Sequence, residues 1–217
     1  TSDGRTEIRG DVDVVTAEKL HSAIESLSEE RPEPDGSPDA RSLGQRRTEA
    51  LEQILDLAAT IDHAILKPEL TRADVDAELD IAAEWRVFSV CVRPSDIAHA
   101  VARLDGTGVA VGTVIGFPHG TTSTAAKVAE VRQALADGAT EFDMVVNIGA
   151  LRSGFDDVVT ADIAAVVAAA SGHVTKVILE TSLLDDEQIA RGSRLTEAGG
   201  ADFVKTSTGF HPAGGAS

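Results

Sequence analysis

Two lysines and an aspartate stand where buried strands should carry only apolar residues. In Glu141-Phe-Asp-Met-Val-Val-Asn147, a strand puts positions 141, 143, 145 and 147 on one face, and that face carries Asp143 and Asn147. In Thr175-Lys-Val-Ile-Leu-Glu180, Lys176 shares its face with Ile178 and Glu180. In Asp202-Phe-Val-Lys-Thr-Ser207, Lys205 shares its face with Phe203 and Ser207. A mid-strand charge is costly to bury unless it is paired. A lysine among carboxylates suits Schiff-base chemistry, because desolvation or a neighbouring cation lowers its pKa and leaves some neutral amine to attack a carbonyl. The iminium is then an electron sink for carbon–carbon cleavage, and a nearby aspartate moves the proton. Either lysine alone reads more simply as a snorkelling chain or a core ion pair. Lys176, Lys205 and Asp143 taken together leave both readings open.

The elements that must position these residues begin near position 61. Val/Ile-rich runs at 61–66, 87–93, 109–116, 141–148, 174–181 and 202–207 alternate with amphipathic stretches at 72–85, 95–103, 124–137, 157–170 and 186–198. Thr71, Ser95 and Ser123 read as helix starts, Gly138 and Gly199 as helix ends. Gly149 and Gly154 read as turn glycines. This alternation implies an α/β fold with a parallel sheet and right-handed crossovers. No glycine-rich dinucleotide fingerprint follows the first strand, which favours a barrel over a doubly wound nucleotide-binding fold. The three charged strands would then carry their charges near the carboxyl ends, where barrel active sites lie.

Residues 1–58 have a different texture. They hold 7 Lys+Arg against 14 Asp+Glu, a charge of −7, and residues 59–217 hold 12 against 22, a charge of −10. Charge therefore does not divide the two parts, but pattern does. The stretch 31–39 carries three prolines and a glycine and can be neither helix nor central strand. Before it, Thr16 reads as the cap of a helix over 17–27; after it, Ser42 reads as the cap of a second helix. The net charge of −17 argues against binding to nucleic acid or to an anionic membrane as the main task, while leaving room for a local pocket for a small phosphate. One cysteine, Cys91, excludes an intramolecular disulfide and fits a reducing, cytoplasmic setting. No secretion signal or 18-residue apolar run is apparent.

Six segments carry a resemblance. Ile61-Asp-His-Ala-Ile-Leu-Lys-Pro68, Ser89-Val-Cys-Val-Arg-Pro94, Thr113-Val-Ile-Gly-Phe-Pro-His-Gly120, Glu141-Phe-Asp-Met-Val-Val-Asn-Ile-Gly149, Lys176-Val-Ile-Leu-Glu-Thr181 and Asp202-Phe-Val-Lys-Thr-Ser-Thr-Gly-Phe210 resemble, in order and spacing, the signatures of the deoxyribose-phosphate aldolase family. The resemblance implies a TIM (β/α)8-type barrel and reversible cleavage of 2-deoxy-D-ribose 5-phosphate to D-glyceraldehyde 3-phosphate and acetaldehyde, with neither cofactor nor metal. It implies Lys205 as the Schiff-base lysine, Asp143 as the acid of the proton relay and Lys176 as a further catalytic residue. It also implies Asp62, Cys91, Thr206 and Gly209 around the substrate. His63 and His119 read as pocket candidates or as ordinary hydrogen-bonded residues, and Gly214-Gly215 resembles a family loop near the substrate.

The chain departs from that pattern in two ways. About six of eight strands are present, so the expectation is an incomplete barrel with open edges at 61–66 and 202–207 and possible homo-oligomer formation through them. The second active-site lysine and the phosphate loops of the family are not found, which implies turnover lower by about a hundredfold or more. A catalytically inactive fusion fragment acting as an assembly protein through those edges is the competing reading. Residues 1–58, through Asp11-Val-Asp-Val-Val15, the 31–39 loop and Gly44-Gln-Arg-Arg47, resemble the end of a bacterial domain of unknown function found ahead of HNH nuclease domains. The expected organisation is thus a small, mainly helical extension over 1–58 and a partial aldolase barrel over 59–217.

Overall fold

The computed structural model describes residues 14–214, with side chains described from residue 21. The chain divides into two units, Thr1–Ala58 and Ala59–Ser217.

The first unit contains two helices in contact, α1 (Val14–Leu27) and α2 (Leu43–Ala58). Helix α1 begins before Thr16, so that residue lies inside the helix and is not its cap. Ser42 does cap α2: its hydroxyl accepts from the Gln45 amide at 3.3 Å while Gln45 Oε1 accepts from the Ser42 amide at 2.8 Å. This reciprocal pairing satisfies two donors that the first helical turn would leave orphaned. The intervening 31–39 stretch is irregular. Buried Arg46 joins the unit together, donating from Nε to the Ser28 carbonyl at 2.9 Å and from Nη1 to the Arg41 carbonyl at 2.7 Å.

The second unit runs β1 (Asp62–Ile65), α3 (Arg72–Trp85), β2 (Ser89–Val92), α4 (Ile97–Arg103), β3 (Ala110–Ile115), α5 (Thr124–Ala136), β4 (Glu141–Val145), α6 (Ile148–Arg152), α7 (Asp156–Ala169), β5 (Val174–Ile178), α8 (Asp186–Ala198) and β6 (Phe203–Lys205). The six strands form one parallel sheet in chain order, each hydrogen-bonded to its sequential neighbour. The sheet curls into a half-barrel. Asp62 on β1 and Lys176 on β5 lie four strand steps apart, about 19 Å in a flat sheet, yet their side chains meet at 2.5 Å. Among the described residues β1 and β6 are the outermost strands.

Curling gives the sheet two unlike faces. The outer face packs Val90, Val92, Phe142, Met144, Val177 and Leu179 against apolar residues of the helices, including Leu79, Val131, Ile163 and Val166, as one continuous core. The inner face carries Asp62, Ser89, Cys91, Glu141, Asp143, Lys176 and Lys205. Period-two alternation along each strand produces this division, so the apolar half of each strand holds the sheet and the polar half is free to do something else.

Several local expectations are corrected. Ser95 does not cap a helix; it sits within a 3₁₀ turn, Pro94–Asp96, and α4 starts at Ile97 without a side-chain cap. Pro94 at the first position suits this tighter start, since its missing amide would be unpaired there anyway. Gly149 lies inside α6, a short helix with no sequence signal of its own, rather than in a turn. Asn147 caps that helix, accepting from the Ala150 amide at 3.0 Å, and so leaves the strand face it shares by count with Asp143. Gly199 closes α8, but the left-handed residue is Gly200, at φ +82°. Thr71 and Ser123 cap α3 and α5 as the sequence implies. Gly215 lies outside the described residues.

Candidate active site

The site grows from the inner face. Strand β4 supplies Glu141 and Asp143, β5 supplies Lys176, β6 supplies Lys205, and β1 and β2 supply Asp62, Ser89 and Cys91. Register brings them level: Asp62 pairs with Ser89, Asp143 with Lys176, and Ile178 with Lys205. Gly112 on β3 lies directly against Glu141. A Cβ there would stand 3.0 Å from the Glu141 Cβ and 3.3 Å from its carbonyl oxygen, so a larger residue would need Glu141 to give by a few tenths of an ångström.

Two lysines and three carboxylates make a connected network. Lys176 Nζ donates to Asp62 Oδ2 at 2.5 Å and to Glu141 Oε2 at 2.7 Å, and stands 3.7 Å from Asp143 Oδ1. Lys205 Nζ donates to the other oxygen of Asp143, Oδ2, at 2.5 Å. Ser89 Oγ donates to Asp62 Oδ1 at 2.7 Å, and the Cys91 thiol lies 3.9 Å from Asp143 Oδ2. Asp143 is therefore shared, touching both lysines with different oxygens. Its side chain is 3% exposed and that of Lys176 9%, whereas that of Lys205 is 34% exposed. Glu141, Asp143 and Lys176 are buried, Asp62 is one-quarter exposed, and the more reachable amine of this network is Lys205, which borders a cavity of about 360 Å³ together with Asp62, Lys176, Phe88 and Phe203.

These neighbours set the protonation states. Burial pulls the Lys176 amine down, but its hydrogen bonds to Asp62 and Glu141 and the charge of Asp143 outweigh that and hold it above the usual lysine range. Lys205 follows the same balance: burial pulls it down, the Asp143 charge and hydrogen bond pull it up more strongly, and Lys176 opposes them weakly. The net shift is upward, which overturns the expectation of a partly neutral amine at rest. Burial pushes the Asp62 carboxyl up, but hydrogen bonds from Lys176 and Ser89 bring it below its ordinary value. Burial, reinforced by Asp143, pushes the Cys91 thiol far up, so it serves as a neutral wall and not as a nucleophile.

The other sequence candidates lie elsewhere. Thr206 is exposed, and its carbonyl accepts from the Thr181 amide at 2.9 Å. Gly209 is exposed and supplies a left-handed turn at φ +78°. Neither is brought into the lysine–carboxylate network. His63 points to the helix layer and pairs with Glu78 at 2.7 Å, outside the inner face. His119 borders a second cavity, of about 470 Å³, beyond the carboxyl ends of the strands with Glu180, Thr208 and Phe210.

Sequence reading passed over Glu141, Ser89, Gly112, Arg93 and Lys127. Glu141 was within reach, since it lies two residues before Asp143 on the same face. Arg93 supports the rim of the site: it pairs with Asp96 at 2.6 Å and donates to the carbonyls of Lys67, Pro68 and Leu70, pinning the loop after β1. Lys127 on α5 is fully buried behind β4, donating to Asp162 at 2.6 Å and to the Val145 carbonyl at 2.9 Å. Among the described residues no group of three or more His, Cys, Asp or Glu is arranged to hold a metal ion, and no helix is long and apolar enough to cross a membrane.

Residues 56–215 match the family model of the DeoC/LacD family aldolases. Over 156 residues the chain is 53% identical to "Deoxyribose-phosphate aldolase 2" of Staphylococcus aureus (strain MRSA252), covering 72% of this chain and 71% of that one. A Coccidioides immitis crystal structure assigned as a deoxyribose-phosphate aldolase superposes with a TM-score of 0.71 at 44% identity, covering 73% of this chain and 62% of that one. The tetrameric deoxyribose phosphate aldolase of Aeropyrum pernix superposes with a TM-score of 0.67 at 33% identity, covering 72% and 66%.

Proposed function

The chain belongs to the DeoC/LacD aldolase family, and from that premise we propose that its six-stranded unit performs Schiff-base aldol chemistry on 2-deoxy-D-ribose 5-phosphate through Lys205. The observation that carries the reading is the Lys205–Asp143 contact at 2.5 Å at the edge of an open cavity. It joins the more accessible amine of the network to a carboxylate that can take its proton.

The steps follow from that geometry. At rest Lys205 is an ammonium ion held by Asp143, so the first event is transfer of its proton along the existing hydrogen bond to the Asp143 carboxylate. The freed amine attacks the substrate carbonyl carbon at C1 to give a carbinolamine. Asp143 returns the proton to the departing hydroxyl, water leaves, and the iminium forms. Removal of the proton from the C3 hydroxyl then breaks the C2–C3 bond. Its electron pair moves into the iminium to make an enamine, and C3 leaves as the aldehyde of glyceraldehyde 3-phosphate. Protonation of the enamine at C2 and addition of water release acetaldehyde and restore the amine.

Lys176 acts without changing charge. Held between Asp62 and Glu141, it offers a fixed positive charge 3.7 Å from Asp143 Oδ1. That charge works against the protonated form of Lys205. A preorganised charge of this kind needs no rearrangement during the reaction. Glu141 and Asp62 keep it in place, and Cys91 shapes the wall beside Asp143.

A phosphorylated sugar as substrate and an oligomeric assembly are inferred from the relatives, one of which is a tetramer. The net charge of −17 weighs against a nucleic-acid partner. Borohydride trapping in the presence of acetaldehyde, followed by peptide mapping, tests the assignment. An ethyl adduct on Lys205 is expected; an adduct on another lysine, or none, sinks it.

A further inference from the structure

Glu180 combines three features that packing alone does not explain. It is a non-glycine residue in the left-handed region, at φ +56°, ψ +64°, a strained conformation that persists only where the surroundings enforce it. It is buried, with 2% of its surface exposed. One of its carboxylate oxygens, Oε1, is buried with no hydrogen-bond partner, an arrangement that native interiors avoid.

The other oxygen has a defined task. Oε2 accepts from the Thr208 hydroxyl at 2.5 Å and from the Thr208 amide at 3.3 Å. The Thr208 hydroxyl oxygen in turn accepts from the Phe210 amide at 3.1 Å, and the Phe210 ring meets Phe117 edge-on, with centroids 5.2 Å apart. One carboxylate thus organises the turn that begins immediately after Lys205. The neighbouring backbone bond from the Thr181 amide to the Thr206 carbonyl, at 2.9 Å, fixes the same turn from the same segment. Strand β6 is only three residues long and ends at Lys205 itself; the Lys205 carbonyl accepts from the Leu179 amide at 3.0 Å, and beyond Thr206 the turn is tied to this segment through Glu180.

We infer that Glu180 is a positioning residue: through Thr208 it clamps the turn after β6 and so holds Lys205 in line with Asp143. The inference rests on the Schiff-base reading of Lys205 and assigns the alignment of that amine to a residue outside the lysine–carboxylate network. A shorter side chain at 180, or one without an acceptor oxygen, would leave the Thr208 donors unmatched and the turn free to drift.

The test compares E180A, E180Q, T208V and E180A/T208V by retro-aldol kinetics, by the rate of acetaldehyde–borohydride trapping, and by amide hydrogen exchange. In E180A, kcat and the trapping rate should fall by about ten- to a hundredfold while KM changes by less than about threefold, the signature of a misplaced reacting group. Amide exchange at Thr208 and Phe210 should rise. E180Q keeps an oxygen for the Thr208 hydroxyl and should recover kcat to within about threefold of the parent. T208V should mimic E180A, and the double variant should be no slower than the worse single one, because both break one contact. An unchanged kcat in E180A, an E180Q as slow as E180A, or losses that multiply in the double variant would overturn the inference. If E180A does not fold, E180Q and T208V decide it by the same criteria. If the parent protein forms no imine, the Schiff-base reading fails and exchange judges the clamp alone. Unchanged exchange at Thr208 and Phe210 in E180A or T208V then overturns it, and raised exchange supports it.

Discussion

Two lysines in this fold make nearly the same contact and occupy opposite circumstances. Lys127 Nζ lies 2.6 Å from Asp162, and Lys205 Nζ lies 2.5 Å from Asp143. Lys127 is sealed, with no exposed side-chain surface; it also donates to the Val145 carbonyl, and Thr124 Oγ1 donates to the second oxygen of Asp162 at 2.7 Å. Lys205 is one-third exposed, borders a cavity, and shares its aspartate with a second lysine. A buried ion pair with every partner satisfied is a structural joint, here between α5, α7 and the end of β4. The same pair opened to a cavity, with a second cation behind the carboxylate, has the access that the proposed imine chemistry requires. Access and a shared counter-ion separate the two, and neither is a property of lysine itself.

That contrast can be broken experimentally. The largest effect is expected from Lys205→Met, which should lower retro-aldol kcat/KM by about 10⁴-fold or more, the scale of losing a covalent nucleophile, while the thermal midpoint moves little. Retention of even a hundredth of parental turnover would end the distinction. Lys127→Met should do the reverse. Left unpaired, buried Asp162 should destabilise the fold by about 3–5 kcal/mol in denaturant unfolding, with kcat/KM of the folded protein kept within about threefold. A soluble, stable Lys127→Met that has lost turnover would place Lys127 in the chemistry after all. Combining it with Asp162→Leu removes the orphaned charge and should recover most of the lost stability, since buried pairs replaced by apolar groups are often neutral.

Smaller effects sharpen the electrostatics of the site. The Asp62 carboxyl is held below its ordinary value of 3.8, so the stability it contributes is complete above that pH and is lost as pH falls through the lowered, folded-state value. Asp62→Asn should therefore flatten the acid limb of the stability–pH curve below about pH 4; an unchanged limb would mean that the carboxyl is not held by Lys176 in solution. Ser89→Ala removes only one hydrogen bond to that carboxylate and should destabilise by about 1 kcal/mol, measured by chemical denaturation.

The strand–helix alternation, the parallel sheet and the inward-facing Asp143, Lys176 and Lys205 were legible along the chain, because periodicity is a local property. The short helix α6 was not, since five residues contain too little pattern to register. The clamp from Glu180 to Thr208 was equally hidden: it spans 28 residues and depends on a backbone angle that glutamate rarely adopts.

Alone, the order of residues determined which side chains lie on which face of each strand, and with that which charges had to be buried. It also carried the family motifs. Only the curled sheet decided the partners: it brought β1 to β5, gave Asp62 and Glu141 to Lys176, and left Lys205 as the amine with room beside it. Distances across four strands arise from the curvature of the whole sheet, and protonation follows those distances. The sequence implied a lysine already partly neutral; in the folded protein its contact with Asp143 holds it above its ordinary value.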